Sequence, residues 1–117
     1  MIRLTTLTAA IALLVIAPSA HATPCHKLVD HSAKYTPHGE VEVDTTWQAP
    51  QSQRVTVTMR VWVDHKLMIN NTLRDRVSAF YEHDAVIGVD RKPRIVRYTV
   101  MIRSAQCVSR ITGIKKF

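Results

Sequence analysis

Four residues with metal-binding chemistry follow one another closely: Cys25, His26, His31 and His38. Thiolate and imidazole together suit zinc or copper. Their C-H-x4-H-x6-H spacing matches no zinc signature, however. Pro24 lacks the amide proton that a terminal copper site would use. No metal and no cofactor is therefore expected, and the histidines read as side chains of a polar arm. His65 and His83 stand beside Asp64 and Asp84, but neighbours on a strand point to opposite faces, so neither pair reads as a catalytic dyad. G-x-S-x-G, H-E-x-x-H, S-x-x-K and a glycine-rich phosphate loop are all missing from the sequence. The expectation is a protein that acts by contact and not as an enzyme.

Cys25 has a second use. It and Cys107 are the two cysteines of the chain, and no C-x-x-C is present. In an exported protein such a pair forms one disulfide. The positions lie 82 apart. Closing a loop of that size stabilises by about 4 kcal/mol on the chain-entropy account.

The binding chemistry lies elsewhere. Arg60 and Trp62 share one parity of an alternating stretch, so a guanidinium and an aromatic plate lie two residues apart on one face. A sugar ring or an acidic peptide fits such a surface; the alternative is a Trp62 covered by a helix or by the polar arm. Arg97, Thr99 and Arg103 form a second stripe, with Arg91, Lys92 and Arg94 just before it. The whole chain has 16 Lys and Arg against 9 Asp and Glu, a net charge of +7. The excess is uneven. Thr23 to Asn71 is balanced, whereas the stretch from Thr72 onward has ten basic residues against four acidic ones. That field favours an anionic partner: an acidic protein, an envelope polymer or a glycan. Specific nucleic-acid recognition is not expected, because single-strand readers interleave aromatics with their basic groups and Tyr98 has the opposite parity to the Arg97 stripe.

These residues must be positioned by strands. From Arg54 to Asp64, Val55, Val57, Met59, Val61 and Val63 alternate with Arg54, Thr56, Thr58, Arg60 and Trp62. Period-two alternation of β-branched residues predicts a strand with one dry face. Residues 94–103 repeat the pattern through Val96, Tyr98, Val100 and Ile102. A third alternation, Val41, Val43, Thr45 and Trp47, predicts a strand over 40–47, paired with the 54–64 strand as a hairpin that sets Val43 against Met59 and Glu42 against Arg60. Asp64-His65-Lys66 reads as a tight turn and Leu67-Met68-Ile69 as the start of another strand. Thr72 with Asp75 resembles a capping box, and Leu73, Val77, Phe80 and Tyr81 then share one helical face, which predicts a helix near 72–83. A strand through 77–81 is the competing reading. Residues 25–34 fit a short helical turn, Pro37-His38-Gly39 a turn, and 84–89 and 108–114 short strands, with Gly113 marking a bulge or bend.

Residues 1–22 read as a signal peptide: Arg3, an apolar run around Ile11–Ile16, and an Ala20-His21-Ala22 cleavage site. The apolar run is short for a membrane span, and no integral span is expected after cleavage. Residues 23–117 are then one small β-rich domain in the periplasm or outside the cell. The fold class expected is mainly β, or small α+β: an antiparallel sheet or a partly closed OB-like barrel with one helix near 72–83 and one disulfide. The order of elements and the cysteine spacing look like those of the B subunits of bacterial AB5 toxins, a likeness that implies an OB-fold, glycan binding and a homo-oligomer. Taken together the sequence predicts an exported, non-enzymatic binding protein. An assembly subunit of a secretion, conjugation or surface apparatus, and a periplasmic inhibitor or immunity protein, are the alternatives.

Overall fold

The computed structural model describes residues 25–117. The leader and cleavage site read over residues 1–22 lie outside them. Seven strands follow in order: β1 (Lys27–Tyr35), β2 (Glu40–Gln48), β3 (Gln53–Val63), β4 (Lys66–Val77), β5 (Phe80–Gly88), β6 (Ile95–Arg103) and β7 (Val108–Lys116). They form two antiparallel sheets, β1-β2-β5 and β4-β3-β6-β7. This is an open immunoglobulin-like sandwich with the fourth strand on the sheet of the third, sixth and seventh. It is not a closed barrel, and no described residue is helical. The OB-like barrel, and with it the likeness to toxin B subunits, is thereby corrected.

The alternating faces are where the sequence puts them. Val55, Val57, Met59 and Val61 of β3 are buried, as are Val96, Tyr98, Val100 and Ile102 of β6. Val41, Val43, Thr45 and Trp47 of β2 are buried as well. The predicted β2–β3 hairpin does not form, however. β2 pairs with β1 and β5, and β3 with β4 and β6. Two adjacent strands in one sheet would leave both apolar faces on the same side, needing a further cover. Crossing through Ala49-Pro50 puts the dry face of β2 against the dry face of β3, so that each covers the other. Pro50 lacks the N–H a ladder needs, and the buried Ala49 fixes the crossing by donating its N–H to the Ala79 carbonyl at 2.7 Å.

The helix near 72–83 is replaced by the end of β4, a break at Ser78-Ala79, and the start of β5. Ala79 takes φ +51°, which neither helix nor strand continues. The stronger local signal is upstream. Asp64 and His65 both have positive φ, 48° and 70°, and make the two-residue hairpin turn whose twist matches paired strands. From that turn β4 zips along β3 as far as Val77. Thr72, read as a helix cap, instead pairs its hydroxyl with that of Thr58 across the ladder at 3.1 Å. The helical turn expected over 25–34 is likewise β1. Its alternation is broken by a bulge between Leu28 and Asp30, which turns Val29 outward and lets Leu28, His31 and Ala33 share the inner side.

The two long sides of the sandwich differ. Along β1 and β7 it is fastened: Cys25 is bonded to Cys107 with 5.8 Å between their Cα atoms, Ser109 Oγ donates to the His26 carbonyl at 2.7 Å, and the Tyr98 hydroxyl shares a 2.6 Å hydrogen bond with His31 Nδ1. Along β4 and β5 it is open. There a groove of about 280 Å³ runs between the two edges, lined by Ile69, Asn71, Leu73 and His83 with Val57 and Met59 among its walls.

Candidate anion-binding face

The outward residues of β3 and β6 form one surface, because the register sets Arg60 against Thr99, Trp62 against Arg97 and Thr56 against Arg103. The two stripes read separately in the sequence are thus neighbours. β4 and β7 extend the surface on either side: Arg54 faces Arg76, Thr56 faces Arg74, Arg60 faces Asn70, and Met101 faces Arg110. Alternation places Arg54, Arg60, Arg74, Arg76, Arg97, Arg103 and Arg110 on this outer face, all seven exposed, with Lys116 at its margin and no carboxylate among the outward positions. Neighbouring strands lie about 4.8 Å apart and outward residues about 6.6 Å apart along each strand. Guanidinium groups therefore recur both across and along the sheet, and each can grip an anionic group with two parallel hydrogen bonds.

Among the described residues the ion pair shorter than 4 Å is Lys34–Glu42, on the other sheet. The arginines are held by neutral neighbours. Arg60 Nε donates to Asn70 Oδ1 at 3.0 Å, Arg110 Nη2 approaches Met101 Sδ at 3.5 Å, and Arg97 lies 4.0 Å from the centre of the Trp62 ring. Trp62 is half-buried under that guanidinium and not under a helix or the N-terminal arm. At the Cys107 end a groove of about 480 Å³ is lined by Arg54, Arg74, Arg76 and Arg103 together with Thr56 and Ser104, and by one carboxylate, Asp75, which reaches it from the inward parity of β4.

Arg91, Lys92 and Arg94 do not join this groove. They occupy the β5–β6 loop at the opposite end of the sheet, beside Asp64 and His65, around a second cavity of about 540 Å³. The run of β6 from Ile95 to Arg103 separates the two ends by about 26 Å. Asp64 organises this loop. Its Oδ1 accepts from the Arg94 N–H at 2.8 Å and the Ile95 N–H at 3.1 Å, and those two bonds, with Arg91 and Arg94 nearby, hold its carboxyl below the usual range.

Arg54, Arg74, Arg76 and Arg110 were not among the binding residues picked from the sequence. Arg54 was already on the parity of Arg60. Arg74 and Arg76 were hidden by the helical reading, although residues 70, 72, 74 and 76 keep one strand parity.

The outer face of the other sheet has the opposite sign. Its ladders set Asp44 against Asp84, Thr46 against Asp30 and Glu82, and Glu42 against Lys34. With Glu40, six carboxylates share this face with Lys27 and Lys34. Desolvation and mutual repulsion push the Asp44 carboxyl up, with Glu42 adding to the effect. Asp84 is pushed up mainly by desolvation, against a Thr45 backbone bond that opposes the rise.

The histidines are dispersed. His26 is buried and shares a 2.7 Å hydrogen bond with the Tyr81 hydroxyl, His31 is tied to Tyr98, and His83 lies edge-on to Tyr81 with its Nε2 buried and unpaired. Among the described residues no three His, Cys, Asp or Glu side chains converge as a metal site.

No protein-family model matches this chain, and no curated protein matches it. Solved structures that resemble it include a catalytically inactive OgpA from Akkermansia muciniphila in complex with an O-glycopeptide (glycodrosocin) substrate, at a TM-score of 0.47 and 11% identity over 83% of this chain. Wild-type OgpA from the same organism gives a TM-score of 0.42 at 9% identity over 91% of this chain. The matched region is 30% and 39% of those proteins' length, respectively.

Proposed function

We propose that this protein is an exported, non-enzymatic binding module that holds an anionic partner — an acidic protein, an envelope polymer or a glycan — on the outer face of β4-β3-β6-β7. One observation carries the reading: Arg54 and Arg76 stand directly opposite one another on adjacent strands, in a groove where four arginines outnumber the single carboxylate of Asp75. Like charges placed so destabilise a sheet by about 0.2–1 kcal/mol. An anion laid across them turns that repulsion into attraction. The disulfide suits an oxidising location, periplasmic or extracellular.

Arg76→Glu separates binding from stability. It converts a repulsive cross-strand pair into an attractive one, so the protein should gain about 0.5 kcal/mol in a denaturant titration. The same change should weaken retention on a sulfated glycan such as heparin, with elution at lower salt than wild type. If wild-type protein binds neither a sulfated glycan, a phosphorylated polymer nor an acidic protein at low salt, the reading fails.

A further inference from the structure

We infer that the arginine face also receives the carboxylate face of a second copy of this chain, so that copies stack face to back. This rests on the anion-binding reading of the arginine face and names one source of the anion. Both outer faces are bare in the described chain, and each carries a like-charged pair directly across a ladder: Arg54 with Arg76, and Asp44 with Asp84. What relieves each is the charge that the other face supplies. The arginine face holds seven guanidinium groups and no carboxylate. The carboxylate face holds Asp30, Glu40, Glu42, Asp44, Glu82 and Asp84 against Lys27 and Lys34. Both are pleated lattices with the same repeat, about 4.8 Å across strands and about 6.6 Å along them. A row of carboxylates can therefore meet a row of guanidinium groups over several strands at once. Exposed Phe80 and Val86 on the acidic side, and Val108 and Ile114 on the basic side, supply apolar contact between the charges.

Size and symmetry set the behaviour. Three nine-residue strands cover about 30 Å by about 14 Å, or about 400 Å² per copy. That is about half of what each partner buries in a stable complex, so the association is weak and belongs to high protein concentration and low salt. The contact is also heterologous. A joined pair keeps one free face of each sign, one on each copy, and unless the rotation closes a ring the stack grows as an open chain.

Sedimentation velocity on the disulfide-bonded protein tests this, at about 20 mM and about 500 mM salt and up to about 1 mM protein. The expected result is a weight-average mass that rises with concentration at low salt and collapses to the monomer at high salt. Asp30→Lys with Glu82→Lys should abolish the rise, and so should Arg74→Glu with Arg110→Glu. An equimolar mixture of the two variants should form a dimer and stop there, because each retains the one face the other needs. A monomeric wild type at low salt overturns the inference. So does association that survives both pairs of reversals or high salt, which would assign it to the open β4 and β5 edges. Heparin retention separates this from failure of the binding reading. The Asp30→Lys, Glu82→Lys variant, four charges more positive, should bind heparin at least as tightly as wild type while losing self-association, whereas a wild type that binds neither heparin, a phosphorylated polymer nor an acidic protein sinks both.

Discussion

Gly113 shows how much one missing side chain can do. It is buried on β7 directly across from Tyr98. A Cβ at this position would clash with the Cζ, Cε2 and hydroxyl of Tyr98. The ring crosses over Gly113 on its way to His31 of β1, and so joins the two sheets on their fastened side. The sequence suggested a bulge or bend here, but the register runs through without a shift. Gly113→Ala should therefore destabilise by about 1–3 kcal/mol in thermal or chemical unfolding, as overpacking does. Adding Tyr98→Leu should recover part of the loss, since the clash goes with the ring. A second residue gives a pH signature. Burial lowers the His83 pKa, against the opposing pull of Asp75 and Asp84. The unfolded chain then binds the proton more readily. The contribution of His83 to stability is complete above its unfolded value of about 6.5 and is lost as pH falls from there through the folded value. His26, also lowered by burial, acts in the same sense. His83→Leu should flatten, in part, the fall in melting temperature on acidification below about pH 6.5.

Among the elements, β4 is the most instructive. Its inward positions are Ile69, Asn71, Leu73, Asp75 and Val77, so the apolar ones recur every four residues. That period fits a helix as well as every second inward position of a strand. Polar side chains are tolerated between them because β4 borders the open side, where Asn71 lines the groove and Asp75 is exposed. In β3 from Val55 on, and in β6, every inward position is apolar and nearly all are buried, and there the alternation was plain. The faces of the arginine site were legible for the same reason, wherever parity alone decides. Which strands lie side by side was not, because pairings between residues tens of positions apart leave no local pattern. The β3–β4 turn can be probed directly. His65 sits at φ +70°, which costs an L-residue about 1–2 kcal/mol and glycine almost nothing. Glycine's greater freedom in the unfolded chain offsets part of that. His65→Gly should raise stability by up to about 1 kcal/mol in a denaturant titration.

At the scale of the whole molecule, the fastened and open sides make stability unequal. Cys25, Ser109, His31 and Tyr98 hold β1 to β7, whereas β4 and β5 meet at few points. Cys107→Ser should cost about 2–5 kcal/mol, read as a lower denaturant midpoint, and the loss should be matched by reducing the wild-type protein. The cysteine pair was legible because two cysteines leave one simple pairing; its structural role at the mouth of the β6–β7 loop was not. The same bond has a mechanical consequence. A load applied between residue 25 and residue 117 runs from Cys25 straight across to Cys107 and bypasses the chain between them, a sequence separation of 82. Only the ten residues after Cys107 can then be peeled away, and because most of them already form the extended β7 strand the ends part by no more than about 35 Å in all. With the bond reduced, the same pull could draw out all 93 described residues, to about 300 Å. Under tension the oxidised protein can shed its last strand and keep the rest of the sandwich, with most of both charged faces, intact.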